Sequence, residues 1–160
     1  FVATAVFLGL YFNEITSSHR KKRVIAGLVV IDILYYLANK FVYKTMLMFD
    51  SLGFAILTMG VVLMVFMYLH QLLGNVSDEK LLSNFDFWFV SSVVIYFLGA
   101  FVIFLTYRYF TSRSMSADSY AVNVLLTKVW GLHNIFLFLS SVITTFGVLW
   151  ISSHKKSASL

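Results

Sequence analysis

Residues 87–107 read FWFVSSVVIYFLGAFVIFLTY, an uncharged run bounded by Asp86 and Arg108. A helix rising about 1.5 Å per residue crosses the roughly 30 Å hydrocarbon core of a bilayer in about 20 residues, so this stretch predicts a transmembrane helix. Its flanks agree. Trp88 and Tyr107 lie near the two ends, where amphipathic rings favour the lipid interfaces, and Arg108 reaches toward headgroups.

The rest of the chain has the same character. It is 60% hydrophobic and 12% charged, with a mean hydropathy of +0.87; a soluble domain carries about 25% charged residues and could not hide this much apolar surface. Residues 1–160 are expected to form a single transmembrane domain, with no room for a soluble catalytic one. The net charge of +5 is concentrated in His19–Arg23 (HRKKR) and in Lys155 and Lys156. That pattern suits short cytoplasmic loops and argues against nucleic acid as a partner. There is no cysteine, which excludes disulfides and thiolate chemistry, and no proline to kink a helix.

Working outward from the central run, the expected spans are about 24–44, 48–73, 87–108 and 121–151. Residues 1–12 read as the last part of a helix that begins before this numbering; no basic segment precedes them as in a signal peptide. The fold class is therefore an all-α integral membrane bundle, four complete spans plus the end of a preceding one. The spans 24–44 and 48–73 form an antiparallel hairpin across a very short turn. Asn13–Arg23, Gly74–Asp86 and Tyr107–Ser119 read as polar loops. Arg20, Lys21, Lys22, Arg23, Lys80, Lys155 and Lys156 fall on one side, against Lys40, Lys44, Arg108, Arg113 and Lys128 on the other. The dense cluster places the first side, and the C-terminus, in the cytoplasm.

Three polar residues within the spans are candidates for a functional interior: Asp32, His133 and Asn134. A carboxylate near mid-bilayer costs about 2.5–3.5 kcal/mol on insertion scales, so Asp32 should face the bundle and find a partner or stay protonated. It reads either as a proton or cation site or as a polar link that fixes packing. His133, with Asn134 adjacent to it, reads as a hydrogen-bonded histidine inside the bundle. Haem is not expected, because the other histidine within a span, His70, lies at a different depth, and no metal is expected, because one imidazole and one distant carboxylate cannot complete a coordination shell. No cofactor is implied. Trp88, Gly99, Trp130 and Trp150 are expected at interfaces or helix contacts. The small and hydroxylated residues Ser91, Ser92, Ser140, Ser141, Thr144, Thr145 and Gly147 suit close helix packing. No hydrolase motif accompanies them, so no enzyme activity is expected. Asn75-Val76-Ser77 matches a glycosylation sequon on the cytoplasmic side.

Phe87-Trp88, Tyr96-Phe97 and Gly99 in the central span, with Trp130, His133 and Asn134 in the last, resemble a bacterial family of small uncharacterised inner-membrane proteins of about seven helices. Some of its members are similar to the sensory input modules of histidine kinases. The resemblance covers roughly residues 49–150. It implies an inner-membrane sensor that relays a bundle rearrangement to a cytoplasmic partner. Two other expectations stand beside it: an accessory subunit packed in a larger membrane complex, and a proton-coupled carrier that would use Asp32.

Overall fold

The computed structural model describes residues 2–41, 50–74, 81–114 and 119–157. Among them are five helices and no strand: α1 (Val2–Ile15), α2 (His19–Phe41), α3 (Ser51–Leu73), α4 (Phe85–Ser114) and α5 (Ser119–Ser157). Four are long and apolar enough to cross a bilayer, over His19–Phe41, Ser51–Leu73, Phe85–Thr106 and Thr127–His154. Helix α1 is a shorter apolar helix.

Helix α3 is the centre of the bundle. It packs against α1, α2 and α4, while α5 lies on the flank along α4. The sequence of α3 explains this: apolar side chains surround it, and Gly53, Ala55 and Gly60 are small and buried on its faces. Helix α2, by contrast, buries only Ile25 and Asp32. The core gathers Phe12 from α1, Leu57, Val61, Met64 and Val65 from α3 and Val90 from α4, all at most 1% exposed. Between α1 and α2 the closest approach is at Gly9, where a Cβ would collide with the Val29 side chain.

Several helix ends lie beyond the expected span limits. Helix α2 begins at His19, so HRKKR forms its first turns and not a loop. Lys and Arg are good helix formers, and the Lys22 N–H already bonds to the Ser18 carbonyl at 3.0 Å. Helix α4 starts at Phe85, where the Asn84 side-chain oxygen accepts from the Asp86 N–H at 2.8 Å and Asp86 complements the positive end of the helix dipole. It continues to Ser114, through most of the segment expected to be a loop, because no glycine or proline interrupts residues 100–114. Polarity marks where lipid ends, and a helix need not end there. The expected span limits at residues 42–44 and 48–49, and the sequon 75–77, lie outside the described residues.

The α2–α3 corner is tied by Asp50, the N-cap of α3. Its carboxylate accepts from the Gly53 N–H at 2.8 Å, from the Asn39 side-chain amide at 2.6 Å and from the Tyr35 hydroxyl at 3.4 Å. Gly53 is needed here, since a Cβ would strike the carboxyl group of Asp50. Replacing an N-cap acid with alanine costs about 0.5–2 kcal/mol. Asp50→Ala should fall at the upper end of that range, because it also removes the acceptor for α2, whereas Asp50→Asn should retain most of the stability. Thermal unfolding in detergent distinguishes the two.

Candidate functional site

A close seam joins α4 and α5, which run antiparallel. Three contacts fix their register. Trp88 packs into the space above Gly147, the Phe136 ring fills the space above Gly99, and between them the Thr144 hydroxyl donates to the Ser92 hydroxyl at 2.8 Å. Glycine is required at both places because any Cβ would meet the facing ring or its stem. With lipid as the solvent, helices gain little from apolar burial and associate through such close packing and hydrogen bonds. Gly99 and Trp88 are thus packing residues. The Trp88 indole N–H also donates to the Leu82 carbonyl at 2.9 Å, fixing the ring at the start of α4. Trp150 is half-buried and stacks on His154 at 4.3 Å between ring centres. Trp130 is 40% exposed.

His133 sits further along this seam, half-buried among aromatic rings. Trp130 lies edge-on at 5.1 Å, Tyr96 at 5.5 Å and Phe104 at 5.8 Å. Its Nδ1 is buried and makes no hydrogen bond among the described residues. Asp32 belongs to a different seam. It is 1% exposed between α2 and α3, and its Oδ2 faces Gly60, without a hydrogen-bond partner among the described residues. A link between Asp32 and His133 would require α2 and α5 to be neighbours. Instead α2 packs on α1 and α3, and α5 on α4, so the two groups do not form one polar interior.

Asn134 departs from its expected place beside His133. It is exposed, on the face of α5 turned away from α4. Successive helix residues point about 100° apart, and the seam with α4 is centred on the side of His133 that carries Phe136 and Gly147, which leaves Asn134 outside it. Asn134 belongs to a stripe that repeats at alternating intervals of four and three: Thr127, Gly131, Asn134, Phe138, Ser141 and Thr145, all exposed. Phe136 lies over Gly99, which puts Asn134 level with about Phe101 on α4. That is about 8 Å from the middle of the apolar stretch of α4, well inside the roughly 30 Å hydrocarbon core.

A second group of polar contacts, at the opposite end of α3 from Asp50, gave no local signal in the sequence. The Tyr11 hydroxyl donates to Asp86 at 2.7 Å, joining α1 to α4. The Gln71 side chain accepts from the Ser17 N–H at 3.2 Å and donates to the Ile15 carbonyl at 3.5 Å. Lys21 Nζ donates to the Met67 carbonyl at 2.9 Å. These bonds fasten the α1–α2 turn to the end of α3. Asp50, by contrast, stands just ahead of an apolar run, where an acid commonly caps a helix.

Among the described residues no group of three His, Asp or Glu side chains converges as metal ligands would. Among the described residues, Asp32 and His133 lie on separate seams within the spans. The chain belongs to the class of multi-pass, all-helical membrane proteins. Comparison with protein-family models, with curated proteins and with solved structures returned no match.

Proposed function

We propose that this chain is a non-enzymatic membrane module that works by assembling with another transmembrane protein through the outer face of α5. The observation that carries this reading is the exposed Asn134 within the membrane-spanning part of α5. A carboxamide in hydrocarbon has two donors and an acceptor to satisfy, and a neighbouring transmembrane helix supplies them. Small residues on the same stripe, Gly131, Ser141 and Thr145, allow that neighbour's backbone to come close. This is the accessory-subunit reading, with a membrane protein as the partner.

Relay of a rearrangement to a cytoplasmic partner is the second reading, consistent with the resemblance to sensory modules. It is favoured by α5 itself, a continuous helix of 39 residues that packs along α4. Such a rod is about 58 Å long and carries a displacement at one end to the other. In both readings the protein is placed in a bacterial inner membrane with HRKKR and the C-terminus in the cytoplasm, as the distribution of Lys and Arg favours.

The test is to purify the chain from native membranes in mild detergent and identify what accompanies it in stoichiometric amount. An interhelical hydrogen bond from one polar side chain is worth about 1–2 kcal/mol in model systems, so Asn134→Leu should reduce recovery of the companion by about 5- to 30-fold. Ile135→Leu, one residue away, should leave recovery unchanged. Equal recovery with Asn134→Leu and wild type would contradict the assembly reading.

A further inference from the structure

The first turns of α2 place cations where a helix disfavours them. The N-terminus of a helix carries about half a positive charge and several backbone N–H groups without internal partners. Here it holds Arg20, Lys21, Lys22 and Arg23, and the first turn has no acidic residue. Lys21 has its charge engaged at the Met67 carbonyl on α3. Among the described residues, Arg20, Lys22 and Arg23 form no ion pair. Arg20 and Arg23 are exposed and Lys22 half-buried. The acid nearest in sequence, Glu14 at the end of α1, is exposed and not paired with them.

The three cations are also grouped. At about 100° per residue, Arg20, Arg23 and Lys22 follow one another around one arc of the helix, while Lys21 is directed at α3. Arg20 and Arg23 face away from the protein, and the half-buried Lys22 closes the arc on the side of α1. Because α2 is long and apolar enough to cross the bilayer, its charged first turns lie at the depth of the lipid headgroups.

We propose that the arc formed by Arg20, Lys22 and Arg23 is a binding site for the phosphate of an anionic phospholipid. The phosphodiester supplies the negative charge that the helix end and three cations lack, and Arg presents a forked donor that fits phosphate oxygens. Lipid is favoured over a soluble anion because the acyl chains of the same molecule would lie along the exposed Val24, Val30 and Ile31 of α2.

The experiment uses the whole chain in neutral detergent and counts bound lipid by native mass spectrometry with phosphatidylglycerol or phosphatidylcholine added. Wild type should retain phosphatidylglycerol in preference to phosphatidylcholine. Each basic residue near a membrane contributes about 1 kcal/mol of attraction to anionic lipid, so the triple variant Arg20→Gln/Lys22→Gln/Arg23→Gln should weaken binding by about tenfold or more. Lys155→Gln/Lys156→Gln, which removes charge at the far end of the chain, should bind as wild type does. Inorganic phosphate should not displace the lipid. If the triple variant does not accumulate, wild type alone decides: its preference for phosphatidylglycerol should disappear in about 0.5 M salt. Equal binding of both lipids by wild type, a salt-insensitive preference, displacement by inorganic phosphate, or loss of binding in the Lys155/Lys156 variant would overturn the proposal.

Discussion

Phe12→Ala should destabilise the bundle by about 2.5 kcal/mol. Phe12 is wholly buried and is the largest fully buried side chain of the described residues. In a soluble protein the change would lose both transfer energy and packing. Lipid tails are as apolar as a core, so in the membrane the transfer contribution largely cancels and the cavity remains. Removing about 100 Å³ at about 24 cal/mol per Å³ gives the figure stated. Phe7→Ala is the matching control. Phe7 lies on the same helix and is 64% exposed, so its truncation should cost little. Unfolding of the two variants in mixed detergent micelles provides the comparison. Equal stabilities would mean that α1 is not docked in the core as described.

Gly147→Leu should separate α5 from α4. The space above Gly147 is occupied by the stem and ring of Trp88, and the stem cannot rotate away. Overpacking of a well-filled contact costs about 1–3 kcal/mol, and α4 is the principal neighbour of α5. The chain contains no cysteine, so an introduced pair reports without interference. Ser92→Cys with Thr144→Cys replaces a hydroxyl pair 2.8 Å apart and should oxidise readily to a disulfide. Adding Gly147→Leu should reduce that yield several-fold, and Gly147→Ala by less. An unchanged yield in the leucine variant would show that the helices meet in another register.

The bundle was legible because charge-free runs of bilayer length have few alternative explanations, and residues 87–107 form the clearest of them. Helix limits were less legible. Arg20 to Arg23 and Arg108 to Ser114 are polar and yet helical, since charged residues that leave the lipid retain their helix propensity. Contacts between distant residues left no local trace. Tyr11 and Asp86 are 75 positions apart, and neither is conspicuous in its own segment.

The placement of Asn134 was legible in principle. Phe136, Thr144 and Gly147, which meet α4, all lie within about 60° of His133 around α5, and Asn134 lies about 100° from it. Which of the two faces inward follows from the glycines. Gly147 and Phe136 lie on the same side of α5 as His133, and that side meets α4. Asp32 required knowledge of its neighbour as well. Gly60 across the seam leaves room for the carboxyl group, and the sequence of α2 alone does not reveal that helix.

Photocrosslinking in native membranes tests the outer face of α5 as a contact surface most directly. A photoreactive phenylalanine analogue is placed at Asn134 in one variant and at Phe136, facing α4, in another. Position 134 should yield an adduct with a second polypeptide, and position 136 only internal products of unchanged mass. Lipid adducts alone at position 134, or the same second polypeptide captured from both positions, would contradict the account.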